Sequence, residues 1–278
     1  MSTGSVRIRP EHARRTWKPL ALWLLTSRRW TSELPINVFV IEHADGLVLF
    51  DAGQDRRGVV DPEYFPAGLN GWFYRRLAML QVGRHETLPA LLVAAGYDPD
   101  RVTQVVFSHL HFDHIGGIRD FPNAEFVVSA VEWRQLRRPG AVLRGYLKRH
   151  IDLPGARWRL VDFDTARGGP VGEFTSTEDL FGDGSLRLLP TPGHTPGSLS
   201  LLLSRPGLDP ILLVGDLTYD ARRFDRDHVP GVGDRAQLQS MTDRVNRLRK
   251  DLPGLVIAAA HDPEAAARFE GAIGSKPD

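Results

Sequence analysis

A short stretch in the middle of the chain carries the side chains best suited to chemistry. In the run SHLHFDHIGG, His109, His111, Asp113 and His114 place three imidazoles and a carboxylate within six residues. Neutral imidazole and carboxylate bind divalent ions such as zinc, and burying four such groups without partners would cost several kcal/mol. His109 and His111 follow an apolar run and point to one face of an extended backbone. We therefore predict a metal site rather than a histidine-rich polar loop.

Further donors along the chain could complete two coordination spheres. Asp113 and His114 fall past the expected bend, where they can reach a second ion beside the first. His194, Asp216 and His261 each follow an apolar, strand-like run, and the His194 loop is stiffened by three prolines and two glycines. Since α/β layers place their chemistry at the carboxyl ends of strands, we expect these three donors to converge on the first group.

The elements that must position these donors recur in two halves of the chain. A hairpin is predicted from residues 36–41 and 47–50 around the turn at 44–46. Further strands are predicted at 103–108, 125–128, 157–163, 186–189, 199–203, 211–214 and 255–258, and helices at 87–96, at 130–150 with a break at Pro139-Gly140, and at 238–248. Strands followed by helices, twice over, favour an α/β fold in which two stacked sheets lie between helices, a four-layer αββα sandwich.

We expect one main domain with an N-terminal extension. Residues 1–35 are rich in Arg and Trp and are interpreted as an N-terminal arm or early edge element, and residues 36–278 as a single domain. Residues 54–86 combine Pro, Gly and aromatic residues and are a candidate lid. The apolar run at 20–25 is too short for a signal-peptide core or a membrane span, so we predict a cytoplasmic protein.

Composition restricts the partners and the metal ligands. Among 278 residues, Lys and Arg number 35 against 34 Asp and Glu, so no net field favours nucleic acid or an anionic membrane as a partner. The chain has no cysteine, which excludes disulfides and thiolate ligands. Any metal site therefore uses nitrogen and oxygen only, a set that zinc, iron, manganese or cobalt could occupy.

The order of these donors resembles that of the metallo-β-lactamase-fold hydrolases. The likeness spans residues 36 to about 265 and rests on His109-x-His111-x-Asp113-His114, then His194, Asp216 and His261. The resemblance implies two divalent ions, one held by His109, His111 and His194, the other by Asp113, His114 and His261, with Asp216 bridging them. It also implies that Asp51 supports the ligands from beneath, the alternative being a turn-capping or ion-paired aspartate.

Within that family, the segments 109–117, 191–198, 215–219 and 261–264 resemble those of N-acyl-homoserine lactone lactonases. Asp216 stands where β-lactamases with a cysteine ligand need sulfur, and His111 stands where flavodiiron-type enzymes carry glutamate. Nuclease branches usually carry an added domain or a basic substrate arm, and the near balance of charges in this chain does not favour them. Tyr219, three residues after the expected bridging aspartate, is the most telling match, with ordinary aromatic packing as its alternative.

The resemblance implies a mechanism that opens a lactone ring. A hydroxide shared by the two ions attacks the carbonyl beside Asp216, the Tyr219 hydroxyl donates to the developing oxyanion, and Asp113 passes a proton to the leaving oxygen. Candidate walls for an acyl slot are Trp17, Trp23, Trp30, Phe65, Trp72 and Phe73, for each of which core or interface packing is the alternative.

Other functions stay open at this point. The same site could cleave another ester, a thioester or a phosphotriester. A mononuclear iron dioxygenase acting on small sulfur compounds shares the first motif, and a non-catalytic binding module could use the same fold. Seven retained donors favour two metals and catalysis. The native metal, the preferred acyl length and a homodimer are not decided by the sequence.

Overall fold

The computed structural model describes residues 1–274 of the chain. The strands are β1 (Ser2–Ile8), β2 (Leu34–Asn37), β3 (Phe39–His43), β4 (Gly46–Phe50), β5 (Ala78–Gln81), β6 (Val102–Val106), β7 (Glu125–Ser129), β8 (Arg157–Val161), β9 (Glu178–Asp179), β10 (Leu186–Pro190), β11 (Leu199–Leu203), β12 (Ile211–Leu213) and β13 (Val256–Ala258). The α-helices are α1 (Pro10–Ala13), α2 (Leu20–Thr26), α3 (Arg57–Val60), α4 (Gly68–Leu77), α5 (Leu88–Ala94), α6 (Ala130–Gln135), α7 (Lys148–Ile151), α8 (Arg235–Asp251) and α9 (Ala265–Gly274). Within residues 1–274, no helix has the length and apolar character needed to cross a bilayer.

Two five-stranded sheets form the centre of the molecule. The first sheet has the order β3-β4-β6-β7-β8, and the second has the order β13-β12-β11-β10-β9. Strands β4, β6, β7 and β8 run parallel. Strands β12 and β13 are parallel, and β10 shares their direction because β11 is antiparallel to both β10 and β12. The carboxyl ends of these strands therefore lie at one edge of each sheet.

Alternating side chains of the strands divide the core into layers. In β4, Val48 and Phe50 pack between the two sheets, whereas Leu47 and Leu49 face the helical layer that includes α5. The outer face of the second sheet packs against the apolar side of α8. Successive strand residues point to opposite faces, and burial of both faces explains the nearly continuous apolar runs. The predicted four-layer αββα sandwich is confirmed.

The amino-terminal residues are more closely integrated than the predicted arm. Strand β1 is the central strand of a third, small sheet with the order β2-β1-β5. The predicted strand at 36–41 divides at Val38, because residues 34–37 pair with β1 while residues 39–43 pair with β4. The expected boundary at residue 36 thus lies inside β2. The division of the chain into domains stays a prediction.

The segment 54–86 is also more regular than its composition indicated. It contains α3, α4 and β5, and β5 pairs with β1 in the small sheet. Phe65 and Tyr74 contact each other and Phe112 in an aromatic cluster, with ring centroids 5.0–5.4 Å apart. These packed rings tie the segment to the loop that follows β6.

Candidate metal centre

The loop after β6 meets the loop after β10 at a group of three imidazoles. His109 Nε2 lies 3.0 Å from His111 Nδ1, and His194 Nε2 lies 3.1 Å from the same atom. Three ring nitrogens that approach one point cannot all satisfy one another, because each hydrogen bond needs one donor and one acceptor. A cation at that point would accept all three lone pairs.

A second group lies beside the first and consists of Asp113, His114 and His261. Asp113 Oδ2 is 3.4 Å from His261 Nε2, and Asp113 Oδ1 is 3.9 Å from His114 Nε2. Asp216 joins the two groups: Oδ1 is 3.5 Å from both His114 and His261, whereas Oδ2 is 3.4 Å from His194 Nε2. The structure therefore brings together all seven donors named from the sequence, with Asp216 between the groups.

The chemistry of these donors fits divalent ions. His114 Nε2 and Asp216 Oδ1 are buried and make no hydrogen bond among the described residues. A buried polar atom without a partner is costly, and a bound cation would remove that cost. The donors are imidazole and carboxylate only, which suits zinc, iron, manganese or cobalt.

Burial and charge give the donors different protonation preferences. Burial lowers the pKa of His109, lowers that of His111 to about 4 and lowers that of His194 to about 3. Burial opposes charge on His114 too, yet the Asp51 and Asp216 carboxylates raise its pKa well above the usual range. The first three imidazoles are thus neutral near pH 7, the form that binds metal ions.

Asp51 supports the site from the end of β4. Its Oδ1 accepts from the Ser108 backbone N–H at 2.7 Å, and its Oδ2 lies 2.9 Å from both Ser108 Oγ and His114 Nδ1. Asp51 has φ +61°, a left-handed conformation in which Asp and Asn are enriched among non-glycine residues. Its carboxylate fixes the ring of His114 and the backbone just before His109.

Glu132 is a functional residue that the sequence reasoning missed. It is fully buried in α6, where Oε1 accepts from the Leu110 N–H at 3.0 Å and Oε2 accepts from Thr195 Oγ1 at 2.8 Å and Gly197 N–H at 3.1 Å. One carboxylate thus braces both loops that carry the three-imidazole group. The only local signal is the Ser129-x-x-Glu132 pattern of a helix start, which does not disclose these distant partners.

Tyr219 and His12 form the wall beside Asp216. The Tyr219 hydroxyl donates to Asp216 Oδ2 at 3.0 Å, and its oxygen lies 3.3 Å from His12 Nε2. Burial, followed by the nearby Asp216 and Asp113 carboxylates, raises the pKa of Tyr219 well above its ordinary value, so the phenol keeps its proton. His12 belongs to the segment interpreted as an arm, and no spacing pattern linked it to the other histidines.

A largely apolar cavity of about 430 Å³ opens onto these groups. Its polar end includes His111, His194 and Asp216, and its apolar walls include Leu20, Phe73, Leu77, Phe112 and Leu143. Of the six aromatic residues suggested for an acyl slot, Phe73 lies in this wall. The other five do not: Trp23 is buried in packing, Trp17 and Trp72 are exposed, Trp30 stacks under Arg9, and Phe65 packs in the aromatic cluster.

Comparison with known proteins gives the family. The model of the metallo-beta-lactamase superfamily matches residues 31–261. The chain belongs to the metallo-beta-lactamase superfamily.

Within the superfamily, the chain is similar to curated lactonases. It is 32% identical over 246 residues to N-acyl homoserine lactonase AttM of Rhizobium radiobacter, covering 86% of each chain. It is 31% identical over 248 residues to the protein of the same name in Azorhizobium caulinodans, covering 87% of each chain. It is also 34% identical over 250 residues to the probable metallo-hydrolase Rv2300c of Mycobacterium tuberculosis, covering 82% of this chain and 74% of that protein.

Solved structures share the fold at lower identity. An N-acyl homoserine lactone hydrolase with the product N-hexanoyl-L-homoserine bound at its catalytic metal centre superimposes with a TM-score of 0.74 at 23% identity, covering 96% of this chain and 93% of that chain. The dizinc quorum-quenching lactonase AidC superimposes with a TM-score of 0.62 at 16% identity, covering 94% and 86%.

Proposed function

We propose that this chain is an N-acyl homoserine lactone lactonase that uses two divalent metal ions, with zinc as the metal. The chain matches curated N-acyl homoserine lactonases over most of their length. It is a hydrolase of the same superfamily. The proposed substrate class rests on one observation. The donor groups and Tyr219 lie at the polar end of an apolar cavity. A lactone ring would meet the donors while an acyl chain enters the apolar part.

Seven residues would hold the ions. His109, His111 and His194 would bind one ion, and Asp113, His114 and His261 would bind the other. Asp216 would offer one carboxylate oxygen to each ion. Divalent ions in such a site supply Lewis acidity and lower the pKa of water toward neutrality, so that a hydroxide nucleophile exists at pH 7.

The side chains would control the proton and the developing charge. Water adds to the lactone carbonyl carbon, and the bond from that carbon to the ring oxygen breaks, which gives an acyl-homoserine carboxylate. The Tyr219 hydroxyl would donate to the carbonyl oxygen as negative charge develops there. Asp113 would accept the proton of the nucleophile and deliver it to the departing ring oxygen.

The experiment measures metal content and ring opening on the same preparation. Elemental analysis should give two equivalents of zinc per chain. A pH-stat assay should record proton release with N-acyl homoserine lactones of several chain lengths, and Asp216→Asn serves as the control. A panel with a thioester, an aryl ester and a phosphotriester tests the other hydrolytic reactions. Turnover of one of those alone, or iron with oxygen consumption, would overturn the proposal.

A further inference from the structure

Helix α1 carries a histidine into the wall of the candidate active site. His12 lines the same cavity as His111, His194 and Asp216. Its ring lies edge-on to the ring of Tyr219, with centroids 6.0 Å apart and an interplanar angle of 83°. The ring is thus placed against the residue to which the proposed function assigns oxyanion stabilisation.

The hydrogen bonds of Tyr219 fix the direction of the contact. A phenol has one proton, and the Tyr219 hydroxyl donates it to Asp216 Oδ2 at 3.0 Å. At the 3.3 Å contact, His12 Nε2–H must therefore donate to the Tyr219 oxygen. His12 Nδ1 is buried and has no hydrogen-bond partner within residues 1–274. That atom is then a bare acceptor, which is more common in protein interiors than an orphaned N–H.

Contacts of the backbone and of the ring hold His12 beside Tyr219. The His12 backbone N–H donates to the Arg9 carbonyl at 2.8 Å, and the Gly231 N–H donates to the His12 carbonyl at the same distance. Gly231 permits the close approach, because a Cβ there would lie 1.7 Å from the Glu11 carbonyl oxygen. Trp23 packs on the ring at a centroid distance of 6.2 Å. The backbone of His12 is therefore held by Arg9 and Gly231, and its ring packs against Trp23.

We propose that His12 is a positioning residue for Tyr219, a role that rests on the proposed function. Its Nε2–H holds the phenol oxygen in place. The phenol proton is then free to turn from Asp216 toward a substrate. A hydroxyl that accepts one hydrogen bond is a stronger donor in another. His12 acts on the reaction through Tyr219 and does not itself exchange a proton with substrate.

A double-mutant cycle tests this dependence. His12→Phe keeps the ring and removes the donor, whereas His12→Gln keeps an N–H donor. In the wild-type background, His12→Phe should lower kcat for lactone opening about three- to tenfold, the value of one neutral hydrogen bond, with KM changed less. His12→Gln should recover most of that loss. In the Tyr219→Phe background, both His12 variants should have no further effect on kcat.

Metal content and melting temperature establish that each variant is folded and loaded. If His12→Phe does not fold, His12→Gln and His12→Ala provide the same comparison. An equal loss in both tyrosine backgrounds, or a wild-type kcat for His12→Phe, would overturn the proposal.

A second readout does not depend on turnover. Nitrogen-15 spectra of the imidazoles should show His12 as the Nε2–H tautomer, and its Nε2 signal should move in Tyr219→Phe. The Nδ1–H tautomer, or an unmoved Nε2 signal, would overturn the proposed contact. If the wild-type protein opens no lactone, the proposed function fails, while these spectra still decide whether His12 positions Tyr219.

Discussion

Asp51 and His114 are joined by a hydrogen bond inside the protein, with Asp51 Oδ2 2.9 Å from His114 Nδ1. Both side chains are almost completely buried. The bond leaves His114 Nε2 facing Asp216 and Asp113. A carboxylate behind an imidazole fixes the tautomer and raises the basicity of the nitrogen that faces a metal.

Asp51→Asn should weaken metal binding about ten- to a hundredfold. Asparagine tolerates the left-handed backbone of Asp51, so the substitution changes the charge without adding strain. If its oxygen keeps the bond to the Ser108 N–H, its amide NH₂ faces His114 Nδ1 in place of an acceptor. Zinc titration against a competing chelator measures the effect, with the exposed Asp100→Asn as the matched control. Equal zinc affinity in both variants would contradict the supporting role.

Tyr219→Phe should lower kcat for lactone opening by about ten- to a thousandfold, since loss of one oxyanion donor costs about a hundred- to a thousandfold where the donor is fully engaged. The phenol keeps its proton because burial raises its pKa. Metal content should stay unchanged, since Tyr219 is outside the donor groups. Steady-state kinetics and elemental analysis on one preparation check both parts. A kcat equal to that of the wild type would remove Tyr219 from the mechanism.

Asp216→Asn should lose one equivalent of metal. Each carboxylate oxygen faces a different group of histidines, and an amide replaces one of them with a nitrogen that has no free lone pair. Elemental analysis after dialysis gives the stoichiometry. Two retained equivalents would rule out the bridging assignment.

Glu132→Gln should destabilise the protein by about 1–3 kcal/mol, the cost of leaving buried polar groups unpaired. Both Glu132 oxygens accept hydrogen bonds from the ligand-bearing loops, and an amide NH₂ would place a donor against a donor. Urea unfolding measures the change in the free energy of unfolding. Glu63→Gln, at an exposed position, is the matched control, and an equal effect at both positions would show that Glu132 does not brace the loops.

The metal-free protein should lose stability as the pH falls below about 6.5, the ordinary histidine pKa. Burial lowers the pKa of His12 and His111 to about 4 and that of His194 to about 3. Between pH 6.5 and 4 these imidazoles bind protons in the unfolded state and not in the folded state, so the free energy of unfolding falls with falling pH. Each contributes up to about 1.4 kcal/mol per pH unit. Urea unfolding at pH 6.5 and 5 checks this, and equal stability would refute it.

The local part of the site could be predicted from the sequence. His109, His111, Asp113 and His114 lie within one run, and the strand before them fixes where that run emerges. The separate strand ends that carry His194, Asp216 and His261 could be found because each follows an apolar segment. The sandwich followed from the same runs, since strands buried on both faces must be apolar throughout.

The parts that sequence reasoning missed depend on distant contacts. Glu132 has its role because Leu110 and Thr195 approach it in the fold, and His12 because Tyr219 lies beside it. The split at Val38 has the same origin, as Leu34–Asn37 pairs with a strand near the amino terminus. Contacts between residues so far apart in the sequence leave no spacing pattern that could predict them.

Both donor groups take members from the two large sheets. His109, His111, Asp113 and His114 follow the first sheet, while His194 and His261 follow the second. An ion in either place would thus act as a cross-link between the two halves of the sandwich. Resistance to heat and to proteolysis would then rise and fall with metal supply, which couples the lifetime of the protein to its capacity for catalysis.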